Sequence, residues 1–482
     1  MDLECEQEAF FIKPRVAKQY GITEEVWLGL FNTEGQIVNP DHFYRLVFEA
    51  GIDPSIRKSV WKFLYGVYPL QSTYRERLVI DAENRFYYDS IKAHWQRICI
   101  LVGSSKHRYF RMTPEYMEDD NIPLHLRPDR TPNISPPSLP HQLKSALLRA
   151  SSVGNDVSLL HLTLTPKYAE MGAEAESIPV LEGLCPVTEL ENSLSLQASI
   201  FASKINLVEA EYAKVMRSID KDVPRTDRDL DFFTGKKNEN LIKVRNILAS
   251  YASVDRELGY VQGMNDVLSR FLVVAEDETE AFWLFFSFMK KGRNDFLEQS
   301  FYDKVELVKE LLAELDTELD TYFKESDMHD FMFVQRWLIM CFKREFSFED
   351  GLYLFDVIAC HFLELNTDEG RRYQRHAQRT EFKTEGCGLN SINSFHCEFN
   401  YLLTFEMFVC CAVLITYKAQ ILKLEDIAQF FTFISSISGK MNVCEVINKA
   451  QHLLYIYCKW RVRNSFQEIT SDWPSQNDNI DL

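Results

Sequence analysis

Ten of the sixteen prolines in this 482-residue chain lie between Pro114 and Pro186. Proline lacks the backbone donor and clashes with the preceding turn, so no helix can run through that region. Apolar residues there come in short bursts such as Ile178-Pro179-Val180-Leu181, without a sustained period. Residues 103–205 therefore read as a long, largely disordered insertion, with one helix expected near His141–Ala150. A loop of that length is tolerated because closure entropy grows only slowly with length.

On either side of the insertion, apolar residues recur at helical spacing. Phe43, Leu46, Val47 and Ala50 share a face that Gly51 ends. Asp53-Pro54 then reads as a cap and first turn for a helix carrying Ile56, Val60, Trp61 and Leu64. A longer helix over Thr73–Ile100 repeats at Leu78, Tyr88, Ile91, Trp95 and Ile98. After the insertion, order returns near Lys204. Dense apolar helices are expected over Val267–Val274, Ala281–Met289, Gly351–Leu363, Tyr401–Ala419, Leu424–Ile437 and Val443–Trp460. One further helix is expected across Val305–Phe323, on the spacing of Leu307, Leu311, Leu315 and Leu319. The fold class is all-α.

Residues 366–397 interrupt this pattern. They contain the basic run Arg371-Arg372-Tyr373-Gln374-Arg375-His376, which reads as a solvated loop or as a docking site for an acidic lipid or partner. Residues 1–44 read as an extension, and 463–482 as a polar, disordered tail.

Apolar residues make up 46% of the chain, enough for a sizeable core. The formal net charge of -18 argues against nucleic acid, which needs a basic footprint. It argues equally against adsorption of the chain as a whole on anionic lipid, and leaves a smaller basic face open. The acidic start lacks the layout of a signal peptide, and no uninterrupted apolar run reaches membrane length. Eleven cysteines without a CxxC pair point to a reducing, cytoplasmic setting and to no metal site.

The most informative stretch is 219–266. It opens with Ile219-Asp220-Lys221-Asp222-Val223-Pro224-Arg225-Thr226 and closes with Tyr260-Val261-Gln262-Gly263-Met264-Asn265-Asp266. Between them lies one amphipathic helix with Leu241, Val244, Ile247, Leu248 and Tyr251 on its apolar side. An arginine and a glutamine are thus carried at the two ends of one rod, a layout suited to holding two polar side chains on a shared ligand. Taken singly, Arg225 reads as a surface ion-pair partner and Gln262 as a loop residue.

Together these segments, Ile-x-x-Asp-x-x-Arg-Thr and Tyr-x-Gln-Gly-Met, resemble the TBC-domain family of Rab GTPase-activating proteins. Gly51, Ile52, Arg57, Val60, Trp61 and Leu64 resemble the family's opening motif. The resemblance covers roughly residues 45–462 apart from the two interruptions, and implies a two-lobed helical domain. It implies that Arg225 is an arginine finger and that Gln262 stands in for the GTPase's own glutamine. Asp222, Thr226, Tyr260, Gly263, Met264, Arg57 and Trp61 would support the loops or contact the GTPase. The partner would be a GTP-bound Rab-type GTPase, which brings GTP and Mg2+ itself, so no cofactor is expected for this chain. Peripheral association with endomembranes is left open. Two other readings remain: a catalytically silent Rab-binding module, and a helical scaffold in membrane traffic.

Overall fold

The computed structural model describes residues 12, 15, 21–103, 187–326, 328–384 and 397–471. The helix expected near His141–Ala150 lies outside them. Among the described residues every named element is helical, and strand pairing is limited to the isolated bridges Ile22 to Ile52 and Phe31 to Ile37. The α-helices are α1 (Glu24–Gly29), α2 (Pro40–Ala50), α3 (Arg57–Leu64), α4 (Tyr74–Gly103), α5 (Val187–Ser203) and α6 (Glu209–Asp222). They continue with α7 (Glu239–Val254), α8 (Met264–Ala275), α9 (Glu278–Gly292), α10 (Glu298–Leu315), α11 (Thr317–Glu325) and α12 (Gln335–Ile339). The last are α13 (Phe348–Ala359), α14 (Asp368–Thr384), α15 (Phe405–Thr416), α16 (Lys418–Ile421), α17 (Ile427–Ile437) and α18 (Val443–Ser471).

The chain divides into two compact units. One comprises Met1–Leu28, Asn39–Ile56 and Asn294–Leu482; the other comprises Gly29–Val38 and Arg57–Arg293.

The second unit is built around α7. Asn238 caps it, its Oδ1 accepting from the Asn240 amide at 2.8 Å. The expected apolar face is buried: Leu241, Val244, Ile247, Leu248 and Tyr251 are each at most 3% exposed. The opposite face is buried as well, because α4, α6, α8 and α9 all pack on this helix. Its polar residues are therefore paired. Arg245 Nε donates to Asp220 Oδ1 at 2.6 Å, and Ser250 Oγ accepts from Trp95 Nε1 at 3.0 Å. A one-sided pattern in the sequence has become a rod enclosed on both sides, with hydrogen bonds satisfying its polar groups.

Three sequence expectations need correction. Order resumes before Lys204: α5 occupies 187–203 and lies along α4, with Leu194, Ala198 and Ala202 buried and the Phe201 ring 5.4 Å from Tyr87. Small residues four apart let the two helices approach closely, and such a face carries little apolar signal. The second interruption is likewise helical over 368–384, where α14 packs on α18 through buried Tyr373, Ala377 and Phe382. The helix expected across 305–323 is two helices. Asp316, with φ -151° and ψ 93°, ends α10 and caps α11 by accepting from the Leu319 amide. The inward side of α10 is formed by Phe301, Val305, Val308, Leu311 and Leu312, while Leu307 and Leu315 are half-buried.

The ends also differ from the sequence reading. Trp27 and Phe43, both placed in the extension, are buried with ring centroids 5.9 Å apart. Helix α18 runs through residue 463 to Ser471.

In the first unit, Asn39 caps α2 with proline at its first position, and Gly51 ends it at φ 75°. A side chain at Gly51 would also overlap the Tyr353 ring, so both backbone and space require glycine there. Helix α15 is buried from Met407 to Leu414, in keeping with its continuous apolar sequence.

One buried carboxyl in α4 has a measurable consequence. Burial alone pushes Glu83 up from 4.5 to about 8, and the residue is 8% exposed. The folded chain therefore binds this proton more tightly than the unfolded chain, so stability falls as pH rises from about 4.5 to about 8. Glu83→Gln is expected to remove that dependence. At pH 8 the variant should exceed the parent by roughly 2–4 kcal/mol, with no gain below pH 4.5. Urea melts of both proteins across this range measure the effect, and parallel curves at all pH values would refute it.

Candidate functional site

Arg225 closes a 3₁₀ turn, Val223–Arg225, that follows directly on α6. Asp222 is the last residue of α6, and Pro224 fits the tight turn because its φ is already fixed. Arg225 Nη2 donates to Asp222 Oδ1 at 2.5 Å. The arginine side chain is nevertheless 57% exposed, whereas that of Asp222 is 6% exposed. The buried carboxylate tethers the guanidinium without hiding it.

The second motif reaches the same carboxylate. Tyr260 Oη donates to Asp222 Oδ2 at 2.8 Å and lies 3.1 Å from Asn265 Oδ1. Burial, followed by the hydrogen bond to Asp222 and its charge, holds the Tyr260 hydroxyl well above the usual phenol range. It stays a neutral donor throughout the physiological range. Asn265 Nδ2 donates to Thr226 Oγ1 at 3.0 Å, and Thr226 Oγ1 donates to the Asp222 carbonyl at 3.2 Å. Asp222, Thr226, Tyr260 and Asn265 thus form one hydrogen-bonded group that joins the arginine loop to the glutamine loop.

Gln262 follows on that joint. It is exposed, and its side chain makes no hydrogen bond to a described residue. Gly263 sits at φ 104° and ψ -22°, a conformation that side chains disfavour, and caps α8. Met264 is fully buried in the first turn of α8, its Sδ accepting from the Val261 amide at 3.4 Å. Glycine turns the chain and methionine anchors it, which leaves Gln262 on the outside of the bend.

Both loops are braced from behind. Arg228 donates to the carbonyls of Phe233 and Gly235 at 2.8 and 2.6 Å, closing the segment after Arg225. Asp255 ends α7 before the turn to Tyr260. It accepts from Arg293 Nε at 2.8 Å and from the Leu258 amide at 3.2 Å. Burial raises this carboxyl, but the hydrogen bonds from Arg293, Leu258 and Tyr251 outweigh it and hold Asp255 below its ordinary value.

Of the expected site residues, Asp222, Arg225, Thr226, Tyr260, Gly263 and Met264 take these positions beside Gln262. Arg57 and Trp61 are 2% and 0% exposed, in keeping with the supporting one of the two roles expected of them. Trp61 lies 5.3 Å from the Phe271 ring of α8 and 5.4 Å from Tyr65. Asn265 was missed as a site residue. Its signal was an Asn-Asp pair opening an otherwise apolar helix.

Tyr260→Phe keeps the ring and deletes the donor to Asp222. Leaving a buried carboxylate oxygen short of a partner typically costs about 1–3 kcal/mol. Equilibrium denaturation should show a loss of that size. An unchanged midpoint would mean that water replaces the hydroxyl and that the joint is dispensable.

Residues 179–367, which contain the whole stretch, match the family model of the Rab-GTPase-TBC domain. Over those residues the chain is similar to the TBC-domain family. It is 25% identical over 468 residues to Rab GTPase-activating protein 22 of Arabidopsis thaliana, covering 91% of this chain and 81% of that protein. It is also 25% identical over 371 residues to TBC1 domain family member 17 of Mus musculus, covering 74% of this chain and 42% of the relative. The GTPase-activating protein gyp7 of Schizosaccharomyces pombe matches at 25% over 359 residues, 74% of this chain and 36% of the relative. The chain thus spans less than half the length of the latter two. The crystal structure of the Ypt/Rab-GAP domain of Gyp1p superposes with a TM-score of 0.50 at 14% identity, over 90% of this chain and 97% of that one. The shared fold is the all-helical one. Among the described residues, no helix is long and apolar enough to cross a membrane.

Proposed function

We propose that this chain activates GTP hydrolysis by a Rab-type GTPase in its GTP-bound state. Arg225 enters the partner's nucleotide site to neutralise charge on the β- and γ-phosphate oxygens. Gln262 orients the attacking water. Phosphoryl transfer asks mainly for positive charge at those oxygens and a water held in line, and these side chains supply both. GTP and Mg2+ arrive with the partner, and the chain contributes no cofactor and no separate reaction. The setting is cytoplasmic, at endomembranes.

The observation that carries this reading is the 2.8 Å hydrogen bond between Tyr260 and Asp222. It binds the two loops into one unit while Arg225 and Gln262 remain exposed. A charged donor and an amide presented outward from a rigid joint suit insertion into another protein's site. Asp222 orients the guanidinium, and Thr226, Tyr260, Asn265 and Gly263 fix the loops.

The test is single-turnover GTP hydrolysis by a panel of purified Rab GTPases, with and without this chain. Acceleration of one or a few members is expected and would name the substrate. Tight binding to a GTP-loaded Rab with no acceleration anywhere would make the chain a silent docking module. Absence of both rate and binding would leave the scaffold reading.

A further inference from the structure

Helix α14 carries a row of cations on one face of this acidic chain. Arg371, Arg375, Arg379 and Lys383 are spaced four residues apart and all are exposed, with Arg372 beside the first. At 1.5 Å per residue the row is about 18 Å long. The buried side of the same helix explains its orientation. Tyr373, Ala377 and Phe382 pack inward, Gln374 Nε2 donates to the Leu365 carbonyl at 2.7 Å, and His376 Nδ1 lies 2.7 Å from Tyr455 Oη. Glu381 is also turned inward, accepting from Arg463 at 3.0 Å.

Local pairing leaves most of the charge uncompensated. Arg371 is paired with Asp368 at 2.6 Å and Arg372 with Glu369 at 2.8 Å. Arg375, Arg379 and Lys383 pair with no carboxylate of a described residue. Such a row is costly to maintain by self-repulsion unless it meets negative charge.

We propose that this face of α14 adsorbs to an anionic phospholipid surface. Charge complementarity points to a negative partner, and the composition of the face selects among such partners. A protein interface needs a desolvated core with aromatic or aliphatic anchors, and none of the exposed large apolar side chains lies on α14. A fluid layer of anionic headgroups needs no such fit; it needs only basic side chains within a Debye length. The row would hold this face against a membrane although the chain carries a net charge of -18. This inference does not rest on the proposed GTPase activation.

The test is co-sedimentation of the full chain with vesicles of phosphatidylcholine and phosphatidylserine, compared with phosphatidylcholine alone. The charge-neutral variant Arg375→Gln/Arg379→Gln/Lys383→Gln is measured beside a control, Lys290→Gln/Lys423→Gln/Lys440→Gln, that removes as many exposed cations elsewhere. Each basic side chain near an anionic surface multiplies partitioning by about five, so the α14 variant should bind on the order of 100-fold more weakly. The control should bind like the parent. Raising ionic strength from about 0.01 M to about 0.15 M should weaken parental binding, since the Debye length falls from about 30 Å to about 8 Å. Unchanged melting temperatures would exclude unfolding as the cause. Three results would overturn the proposal: no binding to phosphatidylserine vesicles, equal binding to phosphatidylcholine alone, or equal loss in the control. Capture of soluble polyglutamate by the parent without vesicle binding would overturn it in favour of an acidic protein surface.

Discussion

Arg225→Ala is expected to lower the stimulated rate of GTP hydrolysis by about 10³-fold or more, with a much smaller cost in stability. The first half follows from the role proposed above. An arginine that neutralises the developing charge on a transferring phosphoryl group is typically worth about 10³–10⁵ in rate, roughly 4–7 kcal/mol of barrier. The second half follows from burial on one side only. The Arg225 side chain is 57% exposed, but its partner Asp222 is 6% exposed and loses the donor to Oδ1, a loss of about 1–3 kcal/mol that entering water lessens. The loss of rate, at roughly 4–7 kcal/mol of barrier, should therefore exceed the loss of stability. Arg225→Lys should rescue little, because a single ammonium cannot present the planar fork of donors. Gln262→Ala should leave stability alone, since that side chain makes no hydrogen bond to a described residue. Its rate loss should be about 10²–10³-fold, the usual effect of removing one aimed polar group. Single-turnover assays and thermal melts of all three variants decide the matter. Full acceleration by Arg225→Ala would end the arginine assignment, even if the chain still proved to be an activator.

The parts of this molecule legible in its sequence are those where chemistry and period coincide. The apolar face of α7 sits where the pattern expects it, because short-range rules govern it. The candidate site residues are legible only through the resemblance of their motifs to a family, and their connection is not legible at all. Nothing in the order Asp222, then Tyr260 38 residues later, says that the two share a hydrogen bond. That contact depends on how α7 and the turn after it return the chain to the end of α6.

The misread helices have a common physical cause. Helix α5 buries Ser193 and three small or aliphatic side chains at a four-residue spacing, and α14 buries Gln374 and Glu381 among its apolar contacts. Packing by small residues and by paired polar groups leaves a weak hydrophobic signature, so composition alone sends both stretches to loop. The split at Asp316 was hidden for the opposite reason. Leucines four apart continue across it, and only the Asp-Thr-Glu cap signals that one helix stops and another starts.

Trp61→Ala should behave in the opposite way to Arg225→Ala, with a large loss of stability and a small loss of rate per folded molecule. Trp61 is fully buried, with its ring 5.3 Å from Phe271 and 5.4 Å from Tyr65. Truncating a buried tryptophan to alanine leaves a cavity that typically costs about 3–5 kcal/mol. At about 2–4 °C per kcal/mol, the transition of the unit that contains it should drop by on the order of 10 °C. Phe271 belongs to α8, whose first turn anchors Met264 and positions the bend at Gln262. The cavity therefore opens against α8 at Phe271, about two turns along the helix from that bend. The joint through Asp222, Thr226, Tyr260 and Asn265 is held by hydrogen bonds that Trp61 does not make, so it should survive wherever the unit remains folded. Trp61→Phe, which retains most of the ring volume, should recover much of the stability. Assays well below the lowered transition should then show acceleration within about ten-fold of the parent, a difference of about 1.4 kcal/mol in barrier. If Trp61→Ala lost about 10³-fold in rate while folded, α8 would have to transmit packing into the orientation of Gln262. The support from Trp61 would then be part of how the site is set rather than only of how the unit is held together.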